Sequence, residues 1–127
     1  MPGVDVKGYK NPSEYPYEAF VQTALEEHFS RSGYHISRSN SADLICERPG
    51  ERWIIEAKSA TSAVGLDFRT GLGQIVVAMQ DGASTYAIAI PDIPAFRRQA
   101  EKVTVQVRRA LNLHVIYVDE AGRVDID

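Results

Sequence analysis

Ala42-Asp43-Leu44-Ile45-Cys46-Glu47-Arg48-Pro49-Gly50-Glu51-Arg52-Trp53-Ile54-Ile55-Glu56-Ala57-Lys58 reads as a β-hairpin with carboxylates at its open end. Its arms, 42–47 and 52–58, are rich in aliphatic and aromatic residues, and Arg48-Pro49-Gly50-Glu51 supplies the turn chemistry between them. With Pro49 and Gly50 as a two-residue loop, paired residue numbers sum to a constant, which sets Glu47 against Arg52, Ile45 against Ile54 and Asp43 against Glu56. Pro-Gly suits a type II turn better than the primed turns of two-residue hairpins. A glycine bulge would slip the pairing by one and leave the carboxylates diagonal but near. Side chains alternate along a strand, so Asp43, Glu56 and Lys58 share one face, and Leu44, Cys46, Trp53 and Ile55 the other. Two like charges directly opposed on adjacent strands destabilise the pair unless positive charge sits with them. Lys58 and a divalent cation would both serve. Carboxylate oxygens without soft ligands favour Mg²⁺, with Mn²⁺ as a substitute, and such sites commonly complete their shell with water and substrate phosphate. The constellation points to phosphodiester chemistry.

The chain has 127 residues, 44% of them hydrophobic, enough for one domain with a core and too few for two comfortable ones. We expect an irregular arm over 1–12, where Pro2, Gly3, Gly8 and Pro12 are scattered without periodicity, and a single domain over 13–127. A formal net charge of -3 argues against a uniformly basic, polyanion-binding surface, yet it leaves room for an enzyme whose basic groups are clustered. The lone Cys46 excludes an intrachain disulfide and a cysteine zinc site, which fits a reducing compartment. Without a signal peptide or a long apolar run, a cytoplasmic protein with no membrane partner is the expectation.

Helical spacing of Tyr17, Phe20, Val21, Ala24, Leu25 and Phe29 predicts a first helix from Ser13, its N-cap, to before Gly33, with Pro16 in its first turn and Glu18 at the edge of the buried face. Tyr34 to Ser37 is a short strand before the hairpin. A second helix is expected over Asp67–Gln80, where Gly71 and Gly73 lower the propensity and permit close approach of another backbone. Ser84 to Ile90 reads as a buried strand, and Asp92 caps a third helix. Over Val103 to Val107 β-branched residues oppose a helix, but the recurrence of Phe96, Ala100, Val103, Val107 and Leu111 decides for one continuous helix. Leu113 to Val118 is a further buried strand, and Arg123 to Asp127 a short edge strand. The order αβββαβαβ, with helices crossing between later strands, predicts a three-layer α/β/α sandwich around a central mixed sheet.

The pattern Asp43-(x)12-Glu56-x-Lys58, followed by a helix around Gly71-Leu72-Gly73-Gln74, resembles the PD-(D/E)xK restriction-endonuclease-like nuclease superfamily. The resemblance covers most of the chain and implies a restriction-endonuclease-like fold, Mg²⁺-dependent hydrolysis of DNA, and a set of roles. Asp43, Glu56 and the backbone carbonyl of Ala57 would hold the metal, and Lys58 would orient the attacking water and steady phosphate charge. Members related to junction resolvases and type IV restriction enzymes carry a glutamate on the first helix, which Glu18 matches and Glu14 matches less well. Others carry glutamine within Gln-x-x-x-Tyr on the helix after the motif. Gln74 matches that glutamine, while Ala78 stands at the tyrosine and Ala42 at the proline of the motif's name.

Other side chains read as structural. His28, His35 and His114 have no ligand spacing, and Cys46 and Trp53 belong to the core. Arg97, Arg98, Lys102, Arg108 and Arg109 are a solvated helix face sooner than a phosphate stripe. Arg69 and the Ser59–Ser62 loop are better placed to touch DNA. A domain of this size has little surface for sequence recognition, so a homodimer or a subunit of a larger assembly is expected. The competing expectation is a non-catalytic DNA- or protein-binding regulatory subunit that keeps the same fold.

Overall fold

The hairpin forms in the register that a two-residue loop requires. In the computed structural model, which describes residues 14–39, 42–80, 82 and 84–127, β2 (Ala42–Arg48) and β3 (Glu51–Ala57) pair antiparallel, with Ile45 opposite Ile54, Glu47 opposite Arg52 and Arg48 opposite Glu51. Gly50 takes φ +77°, the left-handed conformation that a type II turn asks of its third residue. No bulge intervenes. The turn is also tied from outside: Arg48 pairs with Glu51, donates to the Ser32 carbonyl at 2.7 Å and lies 4.2 Å from the centre of the Tyr34 ring.

Around this hairpin stand α1 (Glu18–Arg31), β1 (His35–Ser39), α2 (Val64–Val77), β4 (Thr85–Pro91), α3 (Pro94–Glu101), α4 (Val105–Leu111), β5 (Leu113–Val118) and β6 (Val124–Ile126). The sheet runs β1-β2-β3-β4-β5-β6, parallel between β3 and β4 and between β4 and β5, antiparallel elsewhere. Parallel neighbours need crossovers, which α2 supplies for the first pair and α3 with α4 for the second.

Side-chain alternation sorts the sheet into two faces. Leu44, Cys46, Ile55, Ala57, Ala87, Ala89, Ile116 and Val118 pack with Val21, Ala24, Leu25 and Phe29 of α1. Ile45, Ile54, Tyr86 and Leu113 pack with Ile75 and Ala78 at one end of the opposite face, and Ile88, Ile90, Val115 and Tyr117 with Phe68, Phe96 and Ala100 at the other. The result is the expected three-layer α/β/α sandwich with a mixed sheet. Among the described residues no helix is long and apolar enough to cross a membrane.

Several features differ from expectation. Helix α1 starts at Glu18, with Pro16 ahead of it; the expected cap Ser13 and the arm 1–12 lie outside the described residues. The second helix sits three residues earlier than its periodicity suggested, at Val64–Val77. Trp53 is half-buried, its ring 5.5 Å from Phe29 and 5.2 Å from His114, at the margin of the core. The fourth difference is the largest: the continuous third helix is two. Thr104 leaves the helical region at φ -66°, ψ 158°, and its Oγ1 accepts the Val107 N–H at 3.3 Å, so the hydroxyl starts α4. The β-branched residues there won over periodicity.

The basic residues of this region are likewise not all an outer face. Asp92 does not cap α3 as expected: Ile93 stands at the N-cap, and Arg97 forks onto the Asp92 carboxylate at 2.6 and 3.0 Å beneath the Tyr117 ring. Arg108 donates to the carbonyls of Ala100 at 2.9 Å and Val103 at 3.1 Å, holding α4 to α3.

Candidate active site

The site forms where the hairpin's ladder runs out. Pairing ends at Leu44 opposite Ile55, so the next residues of the same register are Asp43 and Glu56, both on the face that meets α2. The N–H of Ala57 has no β2 carbonyl in the ladder; it donates instead to Asp43 Oδ2 at 2.9 Å. One carboxylate oxygen thus substitutes for the missing strand pairing, and Asp43 is fixed by the backbone it faces. A strand residue directs its N–H and C=O toward the same neighbour, so the Ala57 carbonyl is turned to the Asp43 side as well.

Glu56 is 7% exposed, and among the described residues it is one of two buried polar side chains in a sheet otherwise lined with Ile, Val, Leu and Ala. Burial, then the charge of Asp43 and a carboxyl–carboxyl hydrogen bond with it, push Glu56 up to about 7, against a partial pull downward by Lys58. Glu56 therefore keeps its proton closer to neutral pH than an ordinary carboxyl, the response of an acid buried beside a like charge.

Lys58 follows the end of β3. Its N–H donates to the Ala89 carbonyl at 2.9 Å, which anchors the backbone, and its Nζ donates to Gln74 Oε1 of α2 at 3.3 Å. Gln74 thus reaches the site through the lysine. Glu18 opens α1 in the opposite layer and is carried over the end of the sheet: burial raises its carboxyl first, Asp43 raises it further and Lys58 lowers it. The Ala60 N–H, donating to the Pro16 carbonyl at 3.4 Å, ties the loop after β3 to the chain entering α1. Of the two glutamates considered for the first helix, Glu18 is its first residue, whereas Glu14 lies ahead of it.

All five residues singled out by sequence, Glu18, Asp43, Glu56, Lys58 and Gln74, are therefore brought to one end of β3. They are not equivalent. Among the described residues no three His, Cys, Asp or Glu side chains are grouped to hold a metal ion, so the ligand set on offer is the Asp43–Glu56 pair with the Ala57 carbonyl, and Glu18 stands beside it. That set of oxygen donors fits a hard divalent cation, which would offset the charge of the two carboxylates and complete its shell with water.

A cleft of about 740 Å³ opens on the pair, lined by Ser39, Ala42, Asp43, Glu56, Thr70, Gly73, Gln74 and Val77. Ser39 and Thr70 carry no signal at the level of sequence, because their hydroxyls join the cleft only once β1 and α2 flank the hairpin. Ala78, where the sequence resemblance would set a tyrosine, is buried with Ile45, Ile54 and Tyr86 and so belongs to the core. In the loop before α2, Thr61 N–H and Oγ1 bond the Asp67 carboxylate at 2.8 Å, so Thr61 is held by the helix it precedes.

No protein-family model and no curated protein matches the chain. Among solved structures it is similar to the crystal structure of an XisH family protein from Nostoc punctiforme PCC 73102, with a TM-score of 0.56 and 15% identity over 83% of this chain and 95% of that one. At that identity the likeness is one of fold: two chains of nearly the same extent share the three-layer sandwich whose sheet end carries Asp43 and Glu56 here.

Proposed function

We propose that the protein is a Mg²⁺-dependent endonuclease hydrolysing DNA phosphodiester bonds at the Asp43–Glu56 end of the sheet. The observation that carries this reading is the carboxyl pair, Glu56 buried and Asp43 half-buried, held together at the sheet end with a lysine beside it and Glu56 raised to about 7. A purely structural position would be filled by another aliphatic residue, since a buried Glu56 beside a second carboxylate opposes folding unless something positive joins it.

Asp43, Glu56 and the Ala57 carbonyl would hold the cation. When bound, it supplies a Lewis acid that polarises a phosphoryl oxygen and lowers the pKa of water. Lys58, with its ammonium fixed by Gln74, places positive charge where negative charge grows on the phosphate in the transition state. Glu18, whose carboxyl feels Asp43 and Lys58, would help order the attacking water. The cleft between β1, β2 and α2 receives the scissile strand, and exposed Arg69 is available to an adjacent phosphate. Action on both strands of a duplex would call for a homodimer or a partner subunit.

The test is incubation of the purified protein with supercoiled, linear, single-stranded and branched DNA in Mg²⁺, Mn²⁺ or EDTA, alongside Glu56→Ala and Lys58→Ala. Cleavage that needs metal and is lost in both variants upholds the proposal. Intact DNA of every form, from folded protein at high concentration, sinks it and leaves a binding role for the same cleft.

A further inference from the structure

The lysine of the site is placed by an absence. Gly71 is buried in the middle of α2, where glycine is unfavourable for a helix, and it faces Lys58. A β-carbon at position 71 would lie 2.5 Å from Lys58 Cγ, 3.1 Å from Lys58 Cδ and 2.7 Å from Ile88 Cδ1. These distances are well inside the roughly 3.5–4.0 Å of carbon–carbon contact. The lysine stem therefore runs through the space of a missing side chain, pressed between the helix backbone and β4. One turn further along the same helix, its ammonium meets Gln74 Oε1 at 3.3 Å. Gly73, two residues on, has nothing within 4 Å of its would-be β-carbon, so the notch is confined to position 71.

We infer that Gly71 is a positioning residue: the notch it leaves in α2 forces the Lys58 stem along the helix and so sets where the ammonium stands relative to Asp43 and Glu56. This rests on the nuclease reading for its consequence in rate, and on the packing alone for its consequence in lysine position. A side chain at 71 changes no ionisable group. It leaves Asp43, Glu56 and the Ala57 carbonyl untouched, because those are fixed by the hairpin and the Asp43–Ala57 hydrogen bond. What it removes is the path along which the stem now reaches Gln74.

The two obstructions at position 71 can be separated, since Ile88→Val deletes the Cδ1 atom and spares the lysine. Wild type, Ile88→Val, Gly71→Ala and the double variant Gly71→Ala/Ile88→Val are compared by thermal midpoint, by the Cε–Hε correlations of ¹³C-lysine-labelled protein, and by cleavage. The chain has four lysines, Lys7, Lys10, Lys58 and Lys102, so the Lys58 signal is assigned from Lys58→Arg. Gly71→Ala lowers the midpoint, and the double variant recovers it to near that of Ile88→Val. In both, the Lys58 signal moves toward that of exposed Lys102. Their cleavage falls about a hundred-fold, the scale of an ångström of misplacement, while DNA binding in Ca²⁺ stays within about two-fold. A Lys58 signal unmoved in the double variant overturns the inference, whether or not the protein cleaves. Wild-type cleavage by the double variant with a shifted lysine overturns the link to rate. Should the wild type itself cut no DNA, the nuclease reading fails and the lysine signal still decides the notch.

Discussion

At the scale of single residues, Glu56 governs how the fold answers to pH. Its carboxyl ionises near 4.5 in an unfolded chain and is pushed up to about 7 in the fold. Between those values the folded state binds a proton that the unfolded state has released. The stabilisation is therefore fully present below pH 4.5 and lost as pH rises through 7. The metal-free protein should lose about 2 kcal/mol between pH 5 and 8 from this group alone. Urea unfolding in EDTA at several pH values checks it, with Glu56→Gln expected to remove that slope. His28 is depressed by burial and then by Arg31, so it contributes in the opposite direction, but it is common to both proteins and cancels in the difference. Parallel stability profiles for wild type and Glu56→Gln would mean that the fold does not raise the Glu56 carboxyl. Because a cation competes with that proton, the gain in unfolding midpoint on adding Mg²⁺ should be larger at pH 8 than at pH 5, and nearly absent in Glu56→Gln.

Among the elements, two residues set boundaries that substitutions can probe. Gly50 holds the hairpin turn at φ +77° with open space around it, so Gly50→Ala meets no clash and pays only backbone strain, about 1 kcal/mol by equilibrium unfolding. Thr104→Ala removes the hydroxyl that starts α4 and should cost about 1 kcal/mol. No change in either case would detach the turn register or the helix break from these residues. The two sites also mark what was legible in the sequence. The hairpin was, because period-2 alternation and Pro-Gly chemistry agree, and the pairing arithmetic carried Asp43 and Glu56 to adjacent positions without further help. The break at Thr104 was not, because Phe96, Ala100, Val103, Val107 and Leu111 hold a helical spacing across it, and spacing carries no record of a capping hydroxyl. For Gly71 the sequence offered only low helix propensity. That its missing side chain accommodates Lys58 depends on β3 and α2 lying side by side, a tertiary relation. The same holds for Arg97 and Arg108: on a helical projection they fall on the charged arc, yet Asp92, Tyr117 and the carbonyls of Ala100 and Val103 claim them in the fold.

Over the whole molecule, stability is unevenly spread, and the spread separates the site from the rest. Ala87, Ile88, Ala89 and Ile90 of β4 and Val115, Ile116 and Val118 of β5 are fully buried between helices. Glu56 is borne by the strand next to β4 and Asp43 by the strand beyond it, at the end where the parallel strands finish. Helix α4 has no buried residue, exposes Val105 and Val107, and leads into the start of β5, at the opposite end of the sheet. What keeps it in place is Thr104 at its start, Asn112 at its end and Arg108 reaching back to α3 and across to Asp127 at 3.1 Å. Such an element opens without the core. Native-state hydrogen exchange should find β4 and β5 amides exchanging only through global unfolding, and α4 amides through a local opening several kcal/mol cheaper. Arg108→Ala should speed exchange in α4 by a further factor of about ten while leaving Ile88 and Ile116 unchanged, since three hydrogen bonds are lost from one element only. The Mg²⁺-induced rise in unfolding midpoint should persist in that variant, because Arg108 lies at the far end of the sheet from Asp43 and Glu56. Equal protection of α4 and β4, or a lost metal response in Arg108→Ala, would mean that the molecule opens as one unit and that the sheet end is not an independent platform for its acids.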